Sequence, residues 1–131
     1  MPTCIDRTTA SHRPTIGLQA FMLLEAIGET AERNGHGDAG EPLPSHATVN
    51  AAMNLIAEVP FRLLADADIS PFYGEIHLSW NVDNKQIVLM FFPNQRPLIH
   101  HYERAVGVAS VHGIEPASAD RLAYWLGWLR D

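Results

Sequence analysis

Residues 73–103 read YGEIHLSWNVDNKQIVLMFFPNQRPLIHHYE, and the order of apolar and polar residues along them decides the fold class. Ile76, Leu78 and Trp80 alternate with Glu75, His77 and Ser79, the period of a strand that buries one face. Asn81–Lys85 carries the Asn and Asp content of a turn. Gln86–Phe92 is apolar at successive positions, which predicts a strand between neighbours and covered on both sides. Pro93–Pro97 makes a second turn, and Leu98–Glu103 reads as a third strand. Three consecutive strands joined by short turns form an antiparallel meander.

The period changes on either side of this segment. Ahead of it, Ala20, Leu23, Leu24, Ile27 and Ala31 recur at helical spacing, with Glu25, Glu29 and Glu32 on the other side, so a helix is expected from Thr15 onward. Residues 1–14 read as a tail, and residues 34–44, rich in Gly and Pro, as a flexible loop. Ser45 is placed to cap a second helix with Val49, Ala52, Met53 and Ile56 as its apolar stripe, and Pro60 ends it. From Pro60 to Pro71 the chain is expected to be irregular, with one extra turn over Phe61–Ala65. Beyond the meander, residues 105–114 fit a fourth strand or an ordered loop equally. Ser118 then caps a last helix whose stripe is Leu122, Trp125, Leu126 and Leu129. The expected fold is therefore α+β: two N-terminal helices, a three- to four-stranded antiparallel meander and a C-terminal helix packed on the sheet.

With 131 residues, 47% of them hydrophobic and 18% charged, the chain suits one domain over residues 15–131 with a core of its own. Cys4 is the only cysteine, which excludes an intramolecular disulfide. The first residues lack the layout of a signal peptide, and no apolar run approaches the ~18 residues that span a bilayer, so a cytoplasmic protein with no membrane partner is expected. The formal net charge of −6, with nine Lys and Arg scattered along the chain, argues against a protein that gains its affinity from phosphate contacts.

The candidate chemistry is sparse. Among seven histidines, His100 and His101 are adjacent on one strand, so their side chains point to opposite faces and cannot share an ion. His77 lies a strand further away than zinc ligation tolerates. No HExxH, CxxC or GxSxG pattern is present, and NGHGDAG lacks the context of a phosphate-binding loop. No metal or cofactor is expected. Trp128 falls off the stripe of the last helix, which fits a wider buried face or a contact with the tail as well as a contact anchor.

The segment Tyr73, Gly74, Ile76, Leu78 and Trp80, with Pro71 ahead of it, Tyr102 downstream and Trp125–Leu129 near the end, resembles a D/Y-G-x-I-x-L-x-W hairpin found in small uncharacterised bacterial proteins. The resemblance implies a bacterial or phage origin and supports the fold; it implies no activity and no catalytic residue.

The reading that follows is a non-catalytic protein-binding module that docks and occludes, in the manner of antitoxins, immunity proteins or phage-encoded inhibitors. Its partner is another protein, or a second copy in a homodimer, with Trp128, Lys85, Arg96 and Arg104 as contacts. The main rival is a small hydrolase- or transferase-like enzyme using His77, His100, His101 and Glu103 as acid–base groups. A third reading is a nucleic-acid-binding domain whose basic patch forms only on folding.

Overall fold

A computed structural model describes residues 22–29, 42–105 and 111–131. The expected tail over residues 1–14, the start of the first helix, most of the 34–44 loop and residues 106–110 lie outside the described residues. Helix α1 occupies residues 22–29, α2 His46–Ala57 and α3 Ala119–Leu129, with a 3-10 turn, Phe61–Leu63, after α2. The strands are β1 (Asp68–Phe72), β2 (Glu75–Val82), β3 (Lys85–Phe91), β4 (Leu98–Glu103) and β5 (Val111–Pro116). They form one sheet in the order β1-β2-β3-β4-β5, every neighbouring pair antiparallel. No helix among the described residues is long and apolar enough to cross a membrane.

The architecture is α+β with the expected meander at its centre, but the sheet has five strands rather than three or four. The added first strand runs through the segment expected to be irregular. Pro71 does not end it, because β1 is an edge strand and a proline that lacks an N–H is tolerated where no outer neighbour needs one. Tyr73 and Gly74 both have positive φ, 48° and 84°, and so make the tight turn whose twist matches the flanking strands. The added last strand settles residues 111–116 as extended chain paired along β4. Of the two expected N-terminal helices, α2 lies within the described residues and α1 is described over residues 22–29 only, and the extra turn expected over Phe61–Ala65 is the 3-10 turn Phe61–Leu63.

The helices form where local chemistry favours them. Ser45 Oγ accepts a hydrogen bond from the Thr48 N–H at 3.2 Å, and Ser118 Oγ accepts one from the Arg121 N–H at 3.1 Å, so each cap satisfies a donor that the first helical turn leaves free. Leu23 and Ile27 of α1, Val49, Ala52 and Ile56 of α2, and Leu122, Leu126 and Leu129 of α3 are buried in one cluster. The same cluster takes Ile76, Leu78 and Trp80 from β2, Ile87, Leu89 and Phe91 from β3, and Ile99 from β4. Trp80 donates its indole N–H to the Leu64 carbonyl at 3.3 Å, so the largest core side chain is also satisfied. Two contacts from Arg130, to the carbonyls of Leu63 (3.1 Å) and Ala65 (2.8 Å), tie the end of α3 to the 3-10 turn.

All of these strand residues share one face of the sheet. The described helices pack on that face alone. Val88 and Met90, on the other face, are half-buried. In the register Val88 lies between Ser79 and His100, and Met90 between His77 and Leu98.

Candidate functional site

The register sorts the sequence-predicted residues between the two faces. On the open face, against which no described helix packs, stand His77, Val88, Met90, His100, Tyr102, His112 and Ile114. The apolar residues at its margins are well exposed, Phe72 on β1 at 50% and Ile114 on β5 at 60%. On the covered face stand His101 and Glu103, the latter directly opposite Lys85. The acid–base set His77, His100, His101 and Glu103 is therefore not brought together.

Each histidine has its own environment. His77 is hydrogen-bonded through Nε2 to Glu75 Oε1 at 2.8 Å, two residues back on the same strand, with the Phe72 ring 5.9 Å away. His77 and His100 share a face but are separated by β3 and offset along it, since His77 pairs with Met90 and His100 with Val88. His100 instead meets His112 of β5, their ring centres 5.6 Å apart and the rings nearly perpendicular. Burial first, then the neighbouring His112 and His101, holds the His100 imidazole below its ordinary pKa.

His101 turns the other way and lies flat on Trp125, with ring centres 3.8 Å apart and planes 12° from parallel. Gly113, its partner in the register, makes room for it: a methyl at that position would sit 2.7 Å from His101 Nε2. Burial lowers the His101 pKa, and Glu115 opposes that shift. Glu115 takes Arg121 in a forked contact, Nε to Oε2 at 2.6 Å and Nη2 to Oε1 at 3.3 Å, and this hydrogen bonding draws its carboxyl below the usual range. Trp125 Nε1 is buried with no acceptor in hydrogen-bonding geometry, although the Glu115 carboxylate is close enough to be stabilised by it.

Trp128 belongs to this aromatic group rather than standing apart from it. It is half-buried against the core, edge-on to Trp125 at 5.3 Å, and Lys85 lies over its ring at 4.7 Å while donating from Nζ to the Trp128 carbonyl at 2.9 Å. Lys85 and Arg104 meet at one end of the sheet, where they line a polar recess of about 410 Å³ with Asn81, Asp83, Asn84, Gln86 and Tyr102. The recess is framed by backbone: the Arg104 N–H donates to the Asn84 carbonyl at 2.9 Å, and Asn84 Nδ2 donates to the Arg104 carbonyl at 2.6 Å. Arg96 is not part of it, because it lies in the β3–β4 connection at the opposite end. A second, apolar recess of about 260 Å³ lies between α1 and β1, with Leu23, Leu64 and Ile69 in its walls.

Sequence reasoning did not single out His112, Gly113, Glu115 or Arg121. For the first three the only signal was the extended-chain preference of Val111 and Ile114, which fall on opposite faces of β5 and so leave no alternation to read. Among the described residues no group of three or more His, Cys, Asp or Glu is placed to hold a metal ion. No protein-family model, curated protein or solved structure gives a match to this chain.

Proposed function

We propose that the chain is a non-catalytic protein-docking module that works by occlusion and engages its partner through the open face of the sheet. The observation that carries this reading is the asymmetry of the sheet: five strands wide, the described helices on one side, and on the other a mixed strip in which exposed Phe72 and Ile114 at the margins flank half-buried Met90 and Val88, with His77 and His100 between them. Exposed apolar residues on an open sheet face are a feature of contact sites. Tyr102, Asn81 and Gln86 connect the strip to the recess that holds Lys85 and Arg104. The occupant that suits both parts is an extended protein segment with apolar side chains for the strip and a carboxylate for the recess.

The dispersal of the acid–base residues gives no support to the enzyme reading. The described cations also disfavour nucleic acid. Arg121 is held by Glu115, Arg130 by two carbonyls, and Arg96 is remote from Lys85 and Arg104, so these described residues do not line up as a continuous basic track.

A photo-crosslinking amino acid placed at Ile114 on the open face, or at exposed Asn50 on α2, tests the reading in the host cytosol. The expected result is a discrete protein adduct from position 114 and none from position 50, lost when Lys85 and Arg104 are both changed to Glu. Equal labelling from both positions, or an adduct indifferent to the charge reversal, would overturn it. An adduct of twice the chain mass would identify a second copy as the occupant.

A further inference from the structure

We propose that His100 and His112 form a two-imidazole binding site for a divalent transition-metal ion on the open face, with the remaining coordination positions left to water. This inference stands independently of the docking reading.

The site follows from the β4–β5 register. His100 is opposite Ile114 and His112 opposite Tyr102, so the two histidines are diagonal neighbours on adjacent strands and share a face. Such neighbours are within reach of each other when the side chains are long. An imidazole that binds zinc through a nitrogen at about 2.0–2.1 Å has its ring centre about 3.2 Å from the ion, so two imidazoles meeting at a tetrahedral angle place their centres about 5.2 Å apart. The observed separation is 5.6 Å. The rings stand 76° apart, so ligation requires rotation of His112, the exposed member of the pair, to turn a nitrogen of each ring toward a common point.

The competition for the rings points the same way. Neither ring makes a hydrogen bond to another described residue. The other two histidines of the sheet are engaged, His77 with Glu75 and His101 beneath Trp125. Two nitrogen ligands suit a borderline ion such as zinc, nickel or copper(II) rather than magnesium or calcium, which take oxygen. The net charge of −6 favours approach of a cation.

Calorimetric titration of the full chain with zinc chloride, nickel chloride or copper(II) in a non-coordinating buffer at pH 7.5 tests the proposal. The expected result is saturable binding of one ion per chain, with copper(II) the tightest of the three. Either His100→Gln or His112→Gln is expected to weaken it at least tenfold, while His77→Gln and His46→Gln leave it unchanged. A copper(II) complex should also show two coupled nitrogens by electron paramagnetic resonance, a signature that a loss of folding cannot mimic. No saturable binding at millimolar metal would overturn the proposal, as would an affinity that survives in His112→Gln or a spectrum with one nitrogen.

Discussion

The two faces of the sheet are made from the same strands, and they meet in adjacent residues. Leu89 is fully buried under the helices, while Met90, one position along β3, is half-buried on the open face. His101 is stacked on Trp125, while the His100 ring lies near those of His112 and Tyr102. Both faces of β3 are apolar, so hydrophobicity alone does not distinguish the face that is core from the face that is surface. The helices do: three amphipathic stripes converge on the Ile87–Leu89–Phe91 side. The other face of β3 carries no described helix, and it is the face on which the proposed docking rests.

Substitution along β3 gives the widest separation between the two faces. Leu89→Ala should lower the free energy of unfolding by about 2–5 kcal/mol, the range for a buried leucine that leaves a cavity. Met90→Ala should lower it by about 1 kcal/mol, as for an ordinary substitution outside the core. Urea denaturation of the two variants checks this, and equal losses would break the distinction between the faces. Gly113→Ala is expected to come next, at about 1–3 kcal/mol, because the added methyl drives His101 off Trp125. Near-ultraviolet circular dichroism from the tryptophans should change with it, whereas His112→Ala, on the open face, should leave that spectrum as it is.

Ser118→Ala removes the cap of the helix that supplies Trp125 and Trp128, and about 1 kcal/mol of stability should go with it in the same urea assay. The smallest effect expected is on pH dependence. His100 and His101 both have folded-state pKa values below 6.5, so between those values and 6.5 the unfolded chain binds more protons than the folded one. Their contribution is complete above about pH 6.5 and is lost as the pH falls below it. The carboxyl of Glu115 acts in a lower window, its contribution being lost as the pH falls through the carboxylate range. The drop in urea midpoint between pH 7.5 and pH 5.5 should therefore be smaller in a His100→Gln, His101→Gln double variant than in the natural chain. An equal drop in both would assign the dependence to other groups.

Legibility in the sequence followed the strength of the local pattern. β2, β3 and β4 were readable because each is long enough to show its period, and α2 and α3 because a serine cap precedes an apolar stripe. β1 was not, because an edge strand with Asp68, Ser70 and Pro71 has little to bury and its alternation carries little contrast. β5 was obscured by Gly113, whose missing side chain is the condition for His101 to lie where it does. The site inherited both gaps. That His100 and His101 point apart was legible from strand geometry, but the partner of His100 was hidden with β5. Trp128 falls off the narrow helical stripe, yet the bulk of Trp125 and the reach of Lys85 widen the covered arc to include it. The meeting of Lys85 and Arg104 depended on a register that no local pattern encodes.

The most direct test of the open face is a single charge placed at its centre, Met90→Lys, in the chain carrying the photo-crosslinker at position 114. The result expected is cooperative unfolding with a midpoint close to that of the natural chain, together with loss of the protein adduct. A variant that no longer folds would mean that this face is part of the core, and one that folds and keeps its adduct would mean that docking takes place elsewhere.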